Sequence, residues 1–491
     1  VAQSVLATDG YKFSMAEAGW PLRQETFYYS HRYGGPQILP VDVESFVRNF
    51  LPEPKPEDYV YLAAHEYEMG CGFKTAITHR HRLVVNSIPR GSWFLEREPV
   101  FTLGGPSALV SWVEPLVLML NFRIQVATLA LTDREALAAA VSVVTCERQK
   151  EIVHETLDSV QVPAPSIRAD PEGYFEKVRT SVKRLVRIVE NPARIFEVGM
   201  RAATCLEQHE IALRACRDEG VTRTSNVLLA ARLGMIPVGT MGHEHVQRYG
   251  SDEAAFRAMR DRRPYRSSFL LDTFDTLRSG VPAAYQLIAE DTTRGDAIRY
   301  DSGDKVTQYL KACDEARALG IHPVHILEDG FDEELTHQFE KLRCQVGLSP
   351  QEQLYGYGGY LVSRPAFSPL SRDRVSAVWK LTWTGRTPTM KFADEAGGGK
   401  ESIPGVPVVF RRQCGTGPLG IVGQDTEKPP AGYVRLTGGS DVASPLTLVS
   451  AAPSNVRMVE YSPTTRTLVE DLRRERDLSS EALKRAGSRA V

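Results

Sequence analysis

From Arg194 onward the chain alternates short strand-like runs with helical stretches, and this alternation restricts the fold more than any other feature. Arg194-Ile-Phe-Glu-Val-Gly, the short run at Ser225, Pro237-Val-Gly-Thr, Ser268-Phe-Leu-Leu-Asp, Ala297-Ile-Arg-Tyr-Asp, Val324-His-Ile-Leu-Glu-Asp and Leu354-Tyr-Gly-Tyr-Gly read as strands. Helical spacing fills the intervals, as over 207–219, 305–319 and 333–341. Repeated strand–helix units imply parallel strands joined by right-handed crossovers. Each run closes on Gly, Thr, Ser, Arg, Asp or another polar residue, as expected where ligands gather at the C-terminal face of a barrel. The expected architecture is α/β: an irregular β/α barrel core with a second α+β domain built from the N-terminal and C-terminal segments.

Residues 1–130 read as an N-terminal α+β domain, with strands at Thr26-Phe-Tyr-Tyr-Ser-His-Arg and Arg82-Leu-Val-Val-Asn-Ser-Ile. Between them and the barrel, 111–121 reads as a buried helix or two short apolar segments. Residues 131–400 form the barrel-like catalytic domain, opening on a helical region at 133–157 with a capping box at Thr132-Asp-Arg-Glu. A helical insertion near 160–191 is expected on the surface. Residues 401–491 read as a β-rich segment and a charged helical tail that packs with the N-terminal domain.

A net charge of −2 gives no electrostatic case for nucleic acid or an anionic membrane surface. No apolar run is expected to span a bilayer, and the first residues lack a signal-peptide pattern. The seven cysteines show no CxxC or Cys/His ligand spacing, which argues against zinc and for reduced thiols in a cytoplasmic protein.

The polar strand ends carry the chemistry. Small residues let backbone N–H groups approach phosphate oxygens, Arg supplies a planar donor fork, and Asp can hold ribose hydroxyls or a metal. That grammar, repeated at Gly239-Thr-Met-Gly-His243, Ile298-Arg-Tyr-Asp301-Ser-Gly and Tyr355-Gly-Tyr-Gly-Gly359, suits a phosphorylated sugar. Gly397-Gly-Gly-Lys400 is not a P-loop, because Asp394 stands where the first Gly belongs and Glu401 follows the lysine.

These pieces, with Leu6-Ala-Thr-Asp-Gly-Tyr-Lys, Trp112-Val-Glu-Pro, Arg223-Thr-Ser-Asn and the later Lys380, Lys391 and Lys400, resemble the type II phosphoribosyltransferases of pyridine salvage, and the nicotinate phosphoribosyltransferases most closely. The resemblance implies transfer of a 5-phosphoribosyl group from 5-phosphoribosyl diphosphate to nicotinate, coupled to ATP hydrolysis, with magnesium held at a place left unassigned. It implies a phosphoryl-accepting His243, with His245 the alternative two residues on. Asp301 would hold ribose hydroxyls, and Arg299 the pyridine carboxylate or the phosphates. Asp272 would steer magnesium, orient His243, or merely cap the next helix.

Arg201, Lys380, Lys391 and Lys400 are implied to gather phosphates, and Thr240 to lie on the pyridine or phosphate side. Asp329 would belong to a ribose or phosphate turn, with the unusual Glu328 before it either pointing away or marking a site that binds differently. Gly358 and Gly359 would cradle the 5-phosphate. Asp9 and Tyr11 belong to the amino-terminal signature, in which Tyr crosses from a partner subunit, so a homodimer with shared sites is implied. Ser225 stands where nicotinamide enzymes of this kind carry Asp, which favours the acid over the amide. Gly359 departs the other way, since nicotinate enzymes often have Thr there. Nicotinamide phosphoribosyltransferase and an inactive binding module remain the alternatives.

Overall fold

The computed structural model describes residues 3–263, 266–392, 401–439 and 458–487, with side chains described as far as residue 478. Its centre is a curled sheet of seven strands: β1 (Ile195–Glu197), β2 (Arg223–Thr224), β3 (Ile236–Pro237), β4 (Ser268–Leu270), β5 (Ala297–Tyr300), β6 (Val324–Leu327) and β7 (Gln353–Tyr357). The spatial order is β3-β2-β1-β7-β6-β5-β4, and every neighbouring pair is parallel. Most residues of β1 and β4–β7 are buried, as a parallel sheet covered by helices requires. The two edge strands approach each other through a loop, since Thr240, just past β3, donates its hydroxyl to the Ser268 carbonyl of β4 at 3.1 Å. The sheet is the expected barrel in this curled form.

The helix at Pro171–Val189 is exposed on one face and built into the core on the other. Asp170 caps it by accepting from Gly173 N–H, and Tyr174, Val178, Val182, Leu185 and Val189 form a buried stripe at helical spacing. That stripe joins the main core and packs on the helices Leu206–Asp218 and Glu333–Val346, while the Tyr174 hydroxyl donates to the Val362 carbonyl at 2.7 Å. An apolar face of this length cannot stay in water, so the segment is part of the barrel's outer layer. The 133–157 region is two helices, Arg134–Val141 and Glu147–Ser159, and Asp133 rather than Thr132 caps the first.

The second domain is built on a five-stranded antiparallel sheet in which Gln24–His31 lies between Phe101–Pro106 and Ala377–Thr384. Phe27 stacks on Trp379 and Tyr29 on Phe101, with centroids 5.6 and 5.1 Å apart. Because Ala377–Thr384 pairs along the length of Gln24–His31, the chain re-enters this domain at Ala377, well before residue 401. A four-stranded sheet containing Pro407–Arg412 and Gly420–Gln424 follows, tied to the N-terminal part by a fully buried Arg411–Glu98 pair at 2.6 Å. The charged tail is the helix Pro463–Gly487.

The stretch Glu114–Thr132 is long and apolar enough to cross a membrane, contrary to the sequence expectation, but 72% of it is buried within the protein. It is a core segment here.

Three imidazoles outside the cavity, His31, His245 and His325, are each lowered by burial to about 4. An unfolded imidazole binds its proton near 6.5, so between those values the unfolded chain holds more protons and stability falls as the pH falls. By pH 4 each has removed about 3 kcal/mol of the stability present at neutral pH. Denaturant unfolding should therefore show stability declining steadily from pH 6.5 towards 4.5; a flat profile there would contradict this reading of the core histidines.

Candidate active site

At the C-terminal ends of the strands lies a cavity of about 510 Å³, within the usual range for a small-molecule site. Its walls come from both domains: Phe196, Ile326 and Leu354 from the barrel, and Phe27, Trp379 and Lys380 from the antiparallel sheet. The amino-terminal segment forms a further wall. Gly10 N–H donates to the Ser225 carbonyl at 2.8 Å, and the Ser225 hydroxyl donates to Asp9 at 2.6 Å, docking residues 9–12 on the end of β2. Gly239 makes this possible. Its φ of +152° and the 2.2 Å that would separate an added Cβ from Tyr11 N exclude any side chain there.

Tyr11 lines the cavity of its own chain. Its ring lies over Gly242, its hydroxyl donates to Glu114 at 2.6 Å, and the Arg201 guanidinium sits 5.4 Å from its centroid. The resemblance implied that this tyrosine arrives from a partner subunit. Here the short turn from Asp9 to the helix Tyr11–Glu17 brings the ring to the cavity of its own chain.

His243 begins the helix His243–Tyr249. Its Nδ1 lies 3.0 Å from the Thr273 hydroxyl, and its Nε2 lies 2.9 Å from Lys391 Nζ and 3.2 Å from Asp301. Nε2 thus faces a group that can only donate and a group that can only accept. Burial, followed by the Lys391 charge, lowers His243 to about 4, so the ring is neutral. We assign Nδ1–H as the donor to Thr273 and Nε2 as the acceptor from Lys391. Lys391 also donates to Asp272 at 2.9 Å, and Ser302 donates to the same carboxylate oxygen. Asp272 is therefore no helix cap; Asp275 fills that role for the turn after it. Burial opposes the charged form of Asp301, but the Lys391 and Arg299 charges help hold its carboxyl well below the usual range. His245 is buried against the Ala255 carbonyl at 2.9 Å and faces away from this chemistry.

Arg299 and Asp301 both line the cavity, as alternation along β5 required. Thr240 and Ser225 line it too, although the hydroxyl of each is already committed to a protein acceptor. Arg201 lies 3.4 Å from Asp9 and 4.0 Å from Glu114. Of the two readings of Glu328, the structure removes the one in which it points away. It is buried in the cavity wall, 3.8 Å from Arg299, and burial raises its carboxyl. The cause is the period of the strand: Ile326 faces inward, so Glu328 does as well, and Asp329 turns out at φ +57° to pair with Lys305. Gly358 and Gly359 lie off the cavity wall. An added Cβ on Gly359 would stand 2.3 Å from the Asp373 carboxylate, a poor neighbour for a 5-phosphate. Lys400 lies outside the described residues.

Sequence reasoning gave no role to Glu114 or Thr273. Strand alternation could have exposed Glu328, whereas Glu114 lies in the Trp112-Val-Glu-Pro piece but reaches the cavity only through packing of the segment Glu114–Leu118. Lys380, paired across the sheet with Tyr28, faces the cavity and is lowered by burial, then by Lys391 and Arg32, to about 7.

His243, Asp272 and Asp301 each bring one ligand atom within 4.8 Å of the others. The two carboxylates fit magnesium, a hard cation that prefers oxygen, and one buried oxygen of Asp272 has no hydrogen-bond partner. The imidazole does not fit that preference, and Lys391 already supplies a positive charge between His243 and Asp272. Replacing Lys391 by Met should therefore raise the His243 pKa from about 4, because it removes a cation and leaves two carboxylates beside the ring. An NMR titration of the imidazole checks this, and an unchanged or lower value would overturn the assigned arrangement.

No family model matches the chain. It is 33% identical over 267 residues to the nicotinate phosphoribosyltransferase pncB2 of Mycobacterium tuberculosis, across 52% of this chain and 53% of that protein. It is 29% identical over 244 residues to the nicotinate phosphoribosyltransferase of Bacillus subtilis, across 48% and 47%. The matches thus span about half the length of these curated relatives. The crystal structure of nicotinate phosphoribosyltransferase from Porphyromonas gingivalis superposes with a TM-score of 0.58 and 17% identity, covering 82% of this chain and 96% of that one. The fold is shared with that enzyme: an α/β barrel with a second domain.

Proposed function

We propose that this protein transfers the 5-phosphoribosyl group from 5-phosphoribosyl diphosphate to nicotinate, giving nicotinate mononucleotide and diphosphate, and couples the reaction to ATP hydrolysis. The observation that carries this reading is the convergence of Tyr11, Arg201, Arg299, Asp301 and His243 on one cavity at the ends of parallel strands. The curated relatives that share up to a third of their aligned residues support it.

In this reading the pyridine lies against the Tyr11 ring and the ribose hydroxyls meet Asp301. The pyridine nitrogen attacks the anomeric carbon as its bond to the diphosphate oxygen breaks, through an oxocarbenium-like transition state. Arg201 and Lys380 stabilise the charge that develops on the leaving diphosphate, in a cavity where solvent screens weakly. Positioning supplies much of the remaining rate. Magnesium, when held by Asp272 and Asp301, adds positive charge at the phosphates. The chain acts in the cytoplasm and as a homodimer, with each subunit retaining its own Tyr11. Neither nucleic acid nor a membrane takes part.

One observation favours the amide as a second reading. Asp9 lies at hydrogen-bond distance from Ser225, so an acidic acceptor remains next to the position that Ser225 was expected to keep free of charge. Burial raises the Asp9 carboxyl, and Arg201 only partly opposes this, so its repulsion of a carboxylate is weakened. Nicotinate therefore stays the preferred base. Mononucleotide formation from the two bases at equal concentration tests the choice. Nicotinate should react faster; equal or better use of nicotinamide would replace the first reading by the second.

For the ATP half-reaction, Thr273 orients the ring and Nε2 attacks the γ-phosphorus while the bond to ADP breaks. Lys391 must first leave Nε2, and the phosphates it meets provide the reason to do so. His243→Ala should abolish ATP hydrolysis while retaining part of the sugar transfer, which needs only positioning and charge. Radiolabel from γ-labelled ATP should map to His243 in the unmodified protein. Label on another residue, or hydrolysis that survives the substitution, would end the coupling proposal.

A further inference from the structure

Two five-residue segments far apart in the chain have the same pattern, Thr145-Cys-Glu-Arg-Gln149 and Thr204-Cys-Leu-Glu-Gln208. They fold alike. Each cysteine is the residue before a thirteen-residue helix, Glu147–Ser159 or Leu206–Asp218, with φ −160° in both and ψ 167° or 165°. In each copy the glutamine oxygen accepts from the threonine N–H and hydroxyl, at 2.7 to 2.8 Å. The copies are joined where Gln149 Nε2 donates to the Thr204 hydroxyl at 3.0 Å. This paired arrangement fixes both thiols and turns them towards each other, with the sulfurs 3.6 Å apart.

Cys146 is fully buried and Cys205 is 6% exposed, so the contact is held by the core. Cys205 ends the short segment that leaves β1 and carries Arg201 in the turn Met200–Ala202. Arg201 reaches the cavity from that turn, against Asp9 and the Tyr11 ring.

We propose that Cys146 and Cys205 are a redox modification site, closing into a reversible disulfide that clamps the segment carrying Arg201. Sulfurs already in contact need to move only about 1.5 Å to reach bonding distance. A hydroperoxide serves as the oxidant. The Cys205 thiolate attacks one peroxide oxygen, the O–O bond breaks, and the departing hydroxide takes a proton to become water. Cys146 sulfur then attacks Cys205 sulfur, the S–O bond breaks, and the second hydroxide leaves as water with the Cys146 proton. Two thiols lose two electrons in total and the peroxide gains them. The order follows from the contact, because the hydrogen bond from Cys146 lowers the Cys205 thiol and raises that of Cys146. Dithiothreitol reverses the step by exchange.

The consequence for catalysis rests on the proposed diphosphate contact of Arg201; the bond and its clamping effect do not. The full chain is reduced, treated with stoichiometric hydrogen peroxide, alkylated, and digested without reductant. A peptide joining residues 146 and 205 should appear and should vanish after dithiothreitol. Amide hydrogen exchange across 199–205 should slow about 10-fold in the oxidised form, since the link raises the cost of local opening. Neither change should occur in C146S or in C205A. The proposal is overturned if peroxide modifies the exposed Cys71, Cys344 and Cys414 without linking 146 to 205. It is equally overturned if the link forms and exchange over 199–205 is unchanged. Binding of inorganic diphosphate to the reduced form is a separate measurement, and its failure would count against the substrate reading alone.

Discussion

Glu244 is the junction on which the site's assembly depends. It accepts from Lys12 at 2.6 Å, from Ser111 at 2.8 Å and from Arg248 at 3.0 Å, and Arg248 continues to Glu25 at 2.9 Å. All these charges are buried. Lys12 belongs to the amino-terminal segment, Glu25 to the central antiparallel strand, and Glu244 and Arg248 to the helix that begins at His243. One chain of ion pairs therefore joins both domains to the helix that begins at His243. Such a network adds little net stability over apolar packing, but removing one member strands a buried charge at about 3–5 kcal/mol. Its value is specificity: the helix has one seat, and His243 has one orientation.

That geometry explains which parts of the molecule could be read from the sequence. The barrel was legible because β4 to β7 are consecutive apolar runs with polar ends, a pattern set locally. Arg299 and Asp301 were legible for the same reason, being two apart on one strand. Glu328 was legible by that rule as well, yet the expectation of like-charge repulsion with phosphate set the rule aside. The structure follows the strand period, and Arg299 supplies the compensating charge at 3.8 Å.

What escaped the sequence depends on packing across the domains. Tyr11 reaches its own cavity because Gly239 allows backbone on backbone contact, a fact of tertiary approach that no run of residues announces. Lys391 stands 148 positions from His243 in the chain, and only the fold puts its ammonium on Nε2. The segment at 171–189 shows its charges to solvent and its stripe to the core, and only the fold supplies the surface that covers the stripe. In a two-faced helix both are present, and the apolar face decides the location.

The cavity's charges also bear on how an anion would enter it. Asp272, Asp301 and Glu328 already face Lys391 and Arg299, so these groups largely satisfy one another before any ligand arrives. An incoming phosphate must break such pairs, and Lys391 is the member best placed to move, since it is shared between His243 and Asp272. Lys380 differs from the rest. With its pKa lowered to about 7, it is partly neutral at physiological pH. A phosphate beside it favours the charged form, so Lys380 gains its proton as the anion binds. The cavity wall thus carries less than a full buried charge at Lys380, and a bound anion would restore it where the anion can balance it.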